Sequence, residues 1–227
     1  MAINLKSTNT VKMNGLKVLV YGMAGSGKTT LIRTLPTPVI LSAEGGLLSI
    51  SGEDLPYIEI KTMADLREAY GWLASSEEAK GFRSVALDSI SEIAEVVLGT
   101  EKAQSKDPRQ AYGAMQDIMT ALIRDFRDLP GRHVYFSAKV EKQQNELGQL
   151  LHSPSMPGQK LGQMLPYFFD EVLALRVGQN ENGETMRTLQ CATDGIWTAK
   201  DRSGKLDMWE PADLGKIIEK IGGQSNE

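Results

Sequence analysis

The sequence predicts an α/β fold, with a mostly parallel, twisted β-sheet flanked by helices and an antiparallel β extension near the C-terminus. Two features carry this prediction. Between residues 16 and 138, apolar runs of strand length alternate with segments of helical periodicity, which is the pattern of a parallel sheet with crossover helices. After residue 170, strand-like runs follow one another with no helical segment between them, which favours antiparallel pairing.

The first half of the chain supplies most of the alternation. Buried strands are expected at 16–21, 38–44, 56–62, 84–88 and 133–138, and helices at 29–35, 63–79 and 89–103. A further helix should begin at Asp107-Pro108, because aspartate is a good N-cap and proline fits the first helical position. Apolar residues recur at helical spacing from Ala111 to Phe126, so one face of this helix should be buried.

The second half is less regular. Residues 139–160 form a long polar segment with two prolines, and loops of this length are uncommon unless they are functional or disordered. Strands, antiparallel and late in the sheet, are expected at 170–177, 185–193 and 195–199. A closing helix is expected at 211–221.

One domain should contain all of these elements. The 227 residues, 41% of them hydrophobic, suffice for a single core. We expect this domain over residues 16–222, preceded by an N-terminal arm, 1–15, and followed by a flexible tail, 223–227.

Composition indicates where in the cell the protein is expected more clearly than it indicates what reaction the protein catalyses. The net charge of −4 does not indicate nucleic-acid binding by itself. The single cysteine, Cys191, cannot form an internal disulfide, which suits a reducing cytosol, and it is expected in the core. No apolar signal core or membrane-length apolar run is present. We therefore expect a cytoplasmic protein that does not enter a membrane.

The stretch GMAGSGKTT, residues 22–30, matches the phosphate-binding pattern G-x-x-x-x-G-K-[ST]. A predicted strand precedes it and a predicted helix follows, which is the context that the pattern requires. Glycines let the backbone N–H groups approach an anion, and the helix N-terminus adds positive potential. Lys28 is expected to bridge the β- and γ-phosphates, and the Thr29 hydroxyl to hold Mg²⁺. The predicted nucleotide-binding residues are Gly22, Met23, Ala24, Gly25, Ser26, Gly27, Lys28, Thr29 and Thr30.

Two further acids complete the predicted chemistry. Asp88 ends the apolar strand SVALD, where it is expected to join Thr29 in holding the metal. Glu44 ends the strand after the loop helix, and strand C-termini converge on the ligand crevice of a parallel sheet. We therefore expect Glu44 to be the base that polarises the attacking water. Glu92, one helical turn after Asp88, is the alternative.

The combination of this loop with AEGG and ALDS at the ends of later strands resembles the RecA-like core ATPases. The segments YGMAGSGKTT, VILSAEGG, VALDSIS, MLPYFFDEVLALRV and AKDRSG together resemble the small phage-encoded RecA-like ATPases linked to single-strand annealing and DNA recombination. The resemblance spans about residues 16–220. It implies an enzyme that binds Mg·ATP and hydrolyses it slowly, stimulated by DNA or by assembly, in the host cytoplasm.

The same resemblance implies partners and further site residues. The segment AKDRSG is similar to the finger segments of RecA-like helicases and RadA recombination ATPases, so Lys200 and Arg202 would reach the γ-phosphate bound to a neighbouring subunit of a homo-oligomer. Single-stranded DNA is an implied partner, and a single-strand-binding protein is a further one. The chain departs from the family in that Ser137 and Lys139 stand where a polar glutamine often ends the strand HVYFSA.

By position in the family, two segments would hold single-stranded DNA, 100–113 and 139–160. Cations for phosphates and an occasional aromatic for base stacking are the chemistry such binding needs. The predicted DNA-binding residues are Lys102, Lys106 and Arg109 in the first segment, with Tyr112, and Lys139 and Lys142 in the second, with Lys160.

Three other functions share the phosphate loop. A nucleotide or small-molecule kinase would need an arginine-rich lid, and Arg124 and Arg127 instead alternate with acids. A GTPase would need a guanine reader at a strand end, for which Lys205-Leu206-Asp207 has only the spacing. An adaptor whose ATP only stabilises assembly, without DNA binding, remains open if Glu44 is not placed to act on water.

Overall fold

The computed structural model describes Ser7, residues 14–144 and residues 146–222. Most of the expected arm at 1–15, and all of the expected tail at 223–227, lie outside the described residues. The strands are β1 (Lys17–Gly22), β2 (Pro38–Ser42), β3 (Tyr57–Glu59), β4 (Ser84–Asp88), β5 (His133–Gln144), β6 (Leu150–Pro154), β7 (Glu171–Gln179), β8 (Thr185–Gln190), β9 (Lys200–Asp201) and β10 (Trp209–Pro211). The α-helices are α1 (Lys28–Leu31), α2 (Met63–Ser75), α3 (Ile90–Gln104), α4 (Pro108–Arg127), α5 (Gln159–Met164) and α6 (Leu214–Gly222).

The strands form one sheet in the order β10-β8-β7-β1-β5-β4-β2-β3, with β6 paired to β5 and β9 paired to β7. The pairs from β7 through β1, β5, β4 and β2 to β3 are parallel. The pairs β7–β8, β8–β10, β5–β6 and β7–β9 are antiparallel. The predicted α/β fold, mostly parallel with a C-terminal antiparallel extension, is confirmed. Strand β5 separates β1 from β4, so the chain segments after these two strands face each other across one strand.

The two faces of the sheet pack against different helices. Because strand side chains alternate, Leu19 and Tyr21 of β1 join the core under α2, α3 and α4. Val18 and Val20 join the second core, to which α1 and α6 contribute. All six residues of β1 are buried, as expected for a central strand covered on both faces.

Local chemistry explains the helix starts. The side chain of Asp107 accepts a hydrogen bond from the Arg109 backbone N–H at 2.9 Å, and Pro108 occupies the first turn, so the expected start of this helix is confirmed. Thr62 and Asp65 form a reciprocal capping box at the start of α2. Ser89 caps α3 through the Glu92 backbone N–H, and this places α3 directly after Asp88.

Three expectations about the second half need correction. Residues 139–160 are not a long loop, because β5 continues to Gln144 and pairs with β6 as an antiparallel hairpin. Strand β7 is not antiparallel to its inner neighbour, since it pairs in parallel with β1. Residues 195–199 do not form a strand, and contribute only a bridge between Trp197 and His152. The sequence does not indicate the hairpin, because most of its residues are polar and they are largely exposed or half-buried.

Candidate active site

The loop between β1 and α1 has the backbone shape that its glycines predict. Gly25 and Gly27 have φ values of 73° and 101°, in the left-handed region that glycine adopts without strain. Lys28 folds back over the loop, and its Nζ donates to the carbonyl oxygens of Gly22 at 3.0 Å and Met23 at 3.1 Å. Burial lowers the pKa of Lys28, and the carboxylates of Glu44 and Asp88 oppose that shift. The lysine therefore lies between the loop and both predicted acids.

Asp88 lies beside the first turn of α1. Its Oδ2 accepts a hydrogen bond from Thr29 Oγ1 at 2.7 Å, and its Oδ1 accepts one from Ser137 Oγ. The side chain is 2% exposed. Burial raises the pKa of Asp88, and the two hydroxyl donors partly offset the rise. The two predicted metal ligands, Thr29 and Asp88, are thus brought into direct contact although 59 residues separate them.

Glu44 reaches the same site from the end of β2. The neighbouring Ala43 backbone N–H donates to the Asp88 carbonyl at 2.8 Å, which continues the register of β2 and β4 one residue past the strands. Glu44 Oε1 accepts a hydrogen bond from Ser89 Oγ. The hydroxyl of Ser89 therefore orients the carboxylate that we expected to act as base.

Glu92 and Lys139 form an ion pair at the rim of this site. Lys139 Nζ lies 2.6 Å from Glu92 Oε2. The strand register places Lys139 beside Gly22, the first glycine of the loop. The hydrogen bond that Lys139 donates to Glu92 raises the pKa of Lys139, and the charge of Glu44 acts in the same direction. Lys139, predicted as a DNA-binding residue, therefore lies against the nucleotide loop.

Lys200 and Arg202 do not contact the loop, and their side chains are held by other residues. Lys200 Nζ donates to the carbonyls of Pro166 at 2.8 Å and Phe169 at 2.5 Å, and Arg202 forms a 2.7 Å ion pair with Asp170. Strand β9 pairs with the beginning of β7, with Lys200 opposite Val172. The loop adjoins the middle of β7, where Leu175 lies against Gly22.

The remaining predicted DNA-binding residues lie at two places on the surface. Lys102 and Lys106 are exposed near the junction of α3 and α4, where Lys102 Nζ lies 5.1 Å from the centre of the Tyr112 ring. Arg109 is exposed in the first turn of α4. The segment 100–113 is thus two helix ends joined by a short link. Lys142 is exposed on the hairpin.

Sequence reasoning missed three contacts of the site, two of them to the loop. Ser137 was not assigned to Asp88, because a serine within a buried strand gives no signal of a partner on the next strand. Tyr135 Oη donates to the Lys28 carbonyl at 2.9 Å. Arg187 Nε, from β8, donates to the Ser26 carbonyl at 2.9 Å. These contacts arise from strand order, which local sequence patterns do not encode.

Within the described ranges, 14–144 and 146–222 with Ser7, no cluster of three or more histidine, cysteine or acidic side chains has the geometry of a metal site. None of the helices described is long and apolar enough to cross a membrane.

Comparison with known proteins identifies a family for most of the chain. Residues 14–203 match the family model described as AAA domain. Among solved structures, a KaiC-like protein from the hyperthermophilic archaeon Pyrococcus horikoshii OT3 is similar, at 16% sequence identity and a TM-score of 0.42, with 78% of each chain covered. No curated protein matches the chain. Because this family match covers most of the chain, phosphate loop included, the chain belongs to the AAA domain family and is a P-loop ATPase.

Proposed function

We propose that this chain binds Mg·ATP in the loop 22–30, hydrolyses it slowly as a RecA-like homo-oligomer, and binds single-stranded DNA in phage recombination or annealing. One observation carries the nucleotide part of the proposal. Thr29 and Asp88, from distant parts of the chain, meet at 2.7 Å beside the loop. That pairing of a loop hydroxyl with a strand-end carboxylate is what magnesium-dependent phosphoryl transfer requires.

The donor atoms fit magnesium. Mg²⁺ prefers oxygen ligands and is usually held by one or two protein groups together with water and substrate phosphates. A hydroxyl and a carboxylate supply that set here. When bound, the ion would neutralise charge on the β- and γ-phosphate oxygens. Asp88 must be ionised for this role, and the hydrogen bonds from Ser137 and Thr29 favour its ionised form.

Lys28 and Glu44 would perform the remaining chemistry. Lys28 Nζ bonds to loop carbonyls, and it would exchange these for the oxygens of the terminal phosphates, whose charge it stabilises. Glu44, oriented by Ser89, would accept a proton from the water that attacks the γ-phosphate. Both carboxylates lie close enough to Lys28 to act on its pKa, so base, metal ligand and cation converge on one place.

The geometry of the finger segment supports a role in assembly. Val172, opposite Lys200, lies three positions before Leu175, which adjoins Gly22. At about 3.3 Å per strand residue, Lys200 lies roughly 10 Å below the edge that carries the loop. Arg202, one residue beyond β9, lies farther still. Any contact of these cations with a γ-phosphate would therefore be made in a neighbouring subunit.

The hairpin β5–β6 supports the DNA part of the proposal. It extends from the strand beside the loop and presents the exposed Lys142. The hydroxyl of Tyr21, one residue before the loop, lies between the carbonyl oxygens of Thr198, at 2.7 Å, and of His152 in the hairpin, at 3.2 Å. The hairpin is therefore packed next to the strand that leads into the loop. A single-strand-binding protein is a further proposed partner.

The test is ATP hydrolysis at low salt, with and without a single-stranded oligonucleotide, for the wild type and for Lys28→Ala. We expect turnover in the wild type, stimulated by DNA and declining as salt rises, because phosphate contacts release counterions. Lys28→Ala should abolish it. An ATP hydrolysis rate that is the same with and without the oligonucleotide would reject the proposed DNA binding and favour the kinase or adaptor function. Full activity of Lys28→Ala would reject the nucleotide site itself.

A further inference from the structure

Arg187 is a cation that touches the phosphate loop from the same subunit. Its Nε donates to the Ser26 carbonyl at 2.9 Å. The guanidinium also lies against Gly27, since a Cβ at that glycine would come within 2.9 Å of Arg187 Nε. Val177 is the strand partner of Arg187, two residues past Leu175, whose carbonyl adjoins Gly22. Arg187 therefore extends from β8 above the edge of the sheet where the loop lies.

Most of the hydrogen-bonding capacity of this side chain is unused. A guanidinium has five N–H donors, and only Nε has a hydrogen-bond partner among the described residues. Arg187 is exposed, so both Nη groups remain accessible to a ligand. Arginine binds phosphate oxygens through two of its donors at once. The loop thus has a planar phosphate-binding group beside it in addition to Lys28.

The sheet order decides which part of a nucleotide this group would meet. The metal ligand Asp88 and the proposed base Glu44 follow β4 and β2, on one side of β1. The γ-phosphate must point to that side, because the water is activated there. Strands β7 and β8 lie on the other side of β1. The α-phosphate and the nucleoside must then extend towards β8.

We propose that Arg187 binds the α-phosphate end of the nucleotide in its own subunit. This inference rests on the proposed nucleotide site. Arg187 would contact the α-phosphate, which ADP and ATP share, whereas Lys28 lies towards the terminal phosphates. It would hold nucleotide before and after hydrolysis, and so keep ADP in place when the γ-phosphate has left.

The experiment measures ADP and ATP binding by titration calorimetry, with magnesium, for the wild type, Arg187→Gln, Arg187→Lys and Lys28→Ala. Arg67→Gln is the matched control, since Arg67 is exposed on α2. Losing a charge-assisted contact should weaken both nucleotides by about tenfold or more in Arg187→Gln. The nucleotide affinity of Arg187→Lys should lie between those of the wild type and Arg187→Gln, because lysine keeps the charge but not the planar guanidinium. Arg67→Gln should bind as the wild type does.

Steady-state kinetics separates nucleotide binding from a structural role in bracing the loop. A contact made equally in the ground and transition states raises KM and leaves kcat unchanged, which is our expectation for Arg187→Gln. The unfolding temperature without ligand should equal that of the wild type, and the upward shift caused by ADP should shrink.

The outcomes distinguish this inference from the function on which it rests. If the wild type binds neither nucleotide, the proposed function fails. If Lys28→Ala impairs binding while Arg187→Gln binds ADP and ATP like the wild type, only the role of Arg187 is rejected. Weaker binding of ATP with unchanged binding of ADP in Arg187→Gln would also overturn this role, because that pattern places the guanidinium at the γ-phosphate. A fall in kcat at unchanged affinity would show that Arg187 only braces the loop.

Discussion

Lys139 Nζ lies 2.6 Å from Glu92 Oε2 at the rim of the nucleotide site. This ion pair changes the interpretation of both residues. Glu92 already has a cationic partner, because its carboxylate accepts a hydrogen bond from Lys139 Nζ. Glu44 has only the hydroxyl of Ser89 as its hydrogen-bond partner among the described side chains. We therefore propose Glu44 as the general base and keep Glu92 as the alternative to be tested.

Glu44→Gln should bind ATP as tightly as the wild type and lower turnover by about 100-fold or more, because glutamine keeps the shape but accepts no proton. Glu92→Gln is the matched control, and it should retain most of the activity. Phosphate release at saturating ATP measures the rates, and titration of nucleotide measures the affinity. Loss of turnover in Glu92→Gln alone would assign the base to Glu92.

Lys28→Ala and Arg202→Ala should each be inactive alone and regain activity when mixed. A finger supplied from a neighbour makes a composite site at a heterologous interface. Random mixing in equal amounts then pairs an intact loop with an intact finger at roughly one interface in four, and ATP hydrolysis of the mixture measures this directly. Lys28→Ala mixed with a Lys28→Ala, Arg202→Ala double variant should stay inactive. Normal turnover of Arg202→Ala by itself would refute the finger role.

Glu171→Gln should change how stability depends on pH. Glu171 is 1% exposed, and burial followed by the nearby Asp201 carboxylate raises its pKa to about 8. An unfolded glutamate titrates near 4.3. Between these values the native state holds a proton that the unfolded state has lost, so the contribution to stability is full at low pH and is lost as the pH rises through 8.

Glutamine imitates the protonated acid at every pH. Urea unfolding of the two proteins at pH 5, 7 and 8.5 should therefore show the wild type losing stability relative to Glu171→Gln as the pH rises. The relative change should be on the order of a few kcal/mol at most. Parallel pH profiles for the two proteins would show that Glu171 titrates normally in the folded chain.

Lys142→Glu and Lys139→Ala should affect different functions. Lys142 is exposed on the hairpin, so its change should weaken binding to single-stranded DNA and reduce the slope of log affinity against log salt by roughly 0.7 for each lost phosphate contact. ATP binding should be unaffected. Lys139→Ala should instead alter ATP turnover, because Lys139 pairs with Glu92 beside the loop. Fluorescence anisotropy of a labelled oligonucleotide measures the first effect. Equal loss of DNA affinity in both variants would place both lysines on the DNA.

Whether the sequence predicts a feature depends on how far apart in the chain the interacting residues are. The phosphate loop, the strand before it and the cap at Asp107 depend on neighbours within a few residues, and local sequence specifies them. The sequence predicts a long polar segment where the hairpin 139–154 lies, because this hairpin is formed by the pairing of two largely polar strands. Its alternation lacks the apolar face by which half-buried strands are recognised.

By itself, the sequence determined the α/β class and the phosphate-loop pattern, because each depends on residue type at fixed local spacing. The roles of Glu44 and Asp88 stay predictions. Only the tertiary structure decided which acid is already paired, that Ser137 bonds Asp88, that Lys139 lies at the nucleotide rim, and that Arg187 touches the loop. Those contacts join residues 45 or more apart in the chain. Strand order and register bring them together, and these are set by the packing of the whole core and not by any local segment.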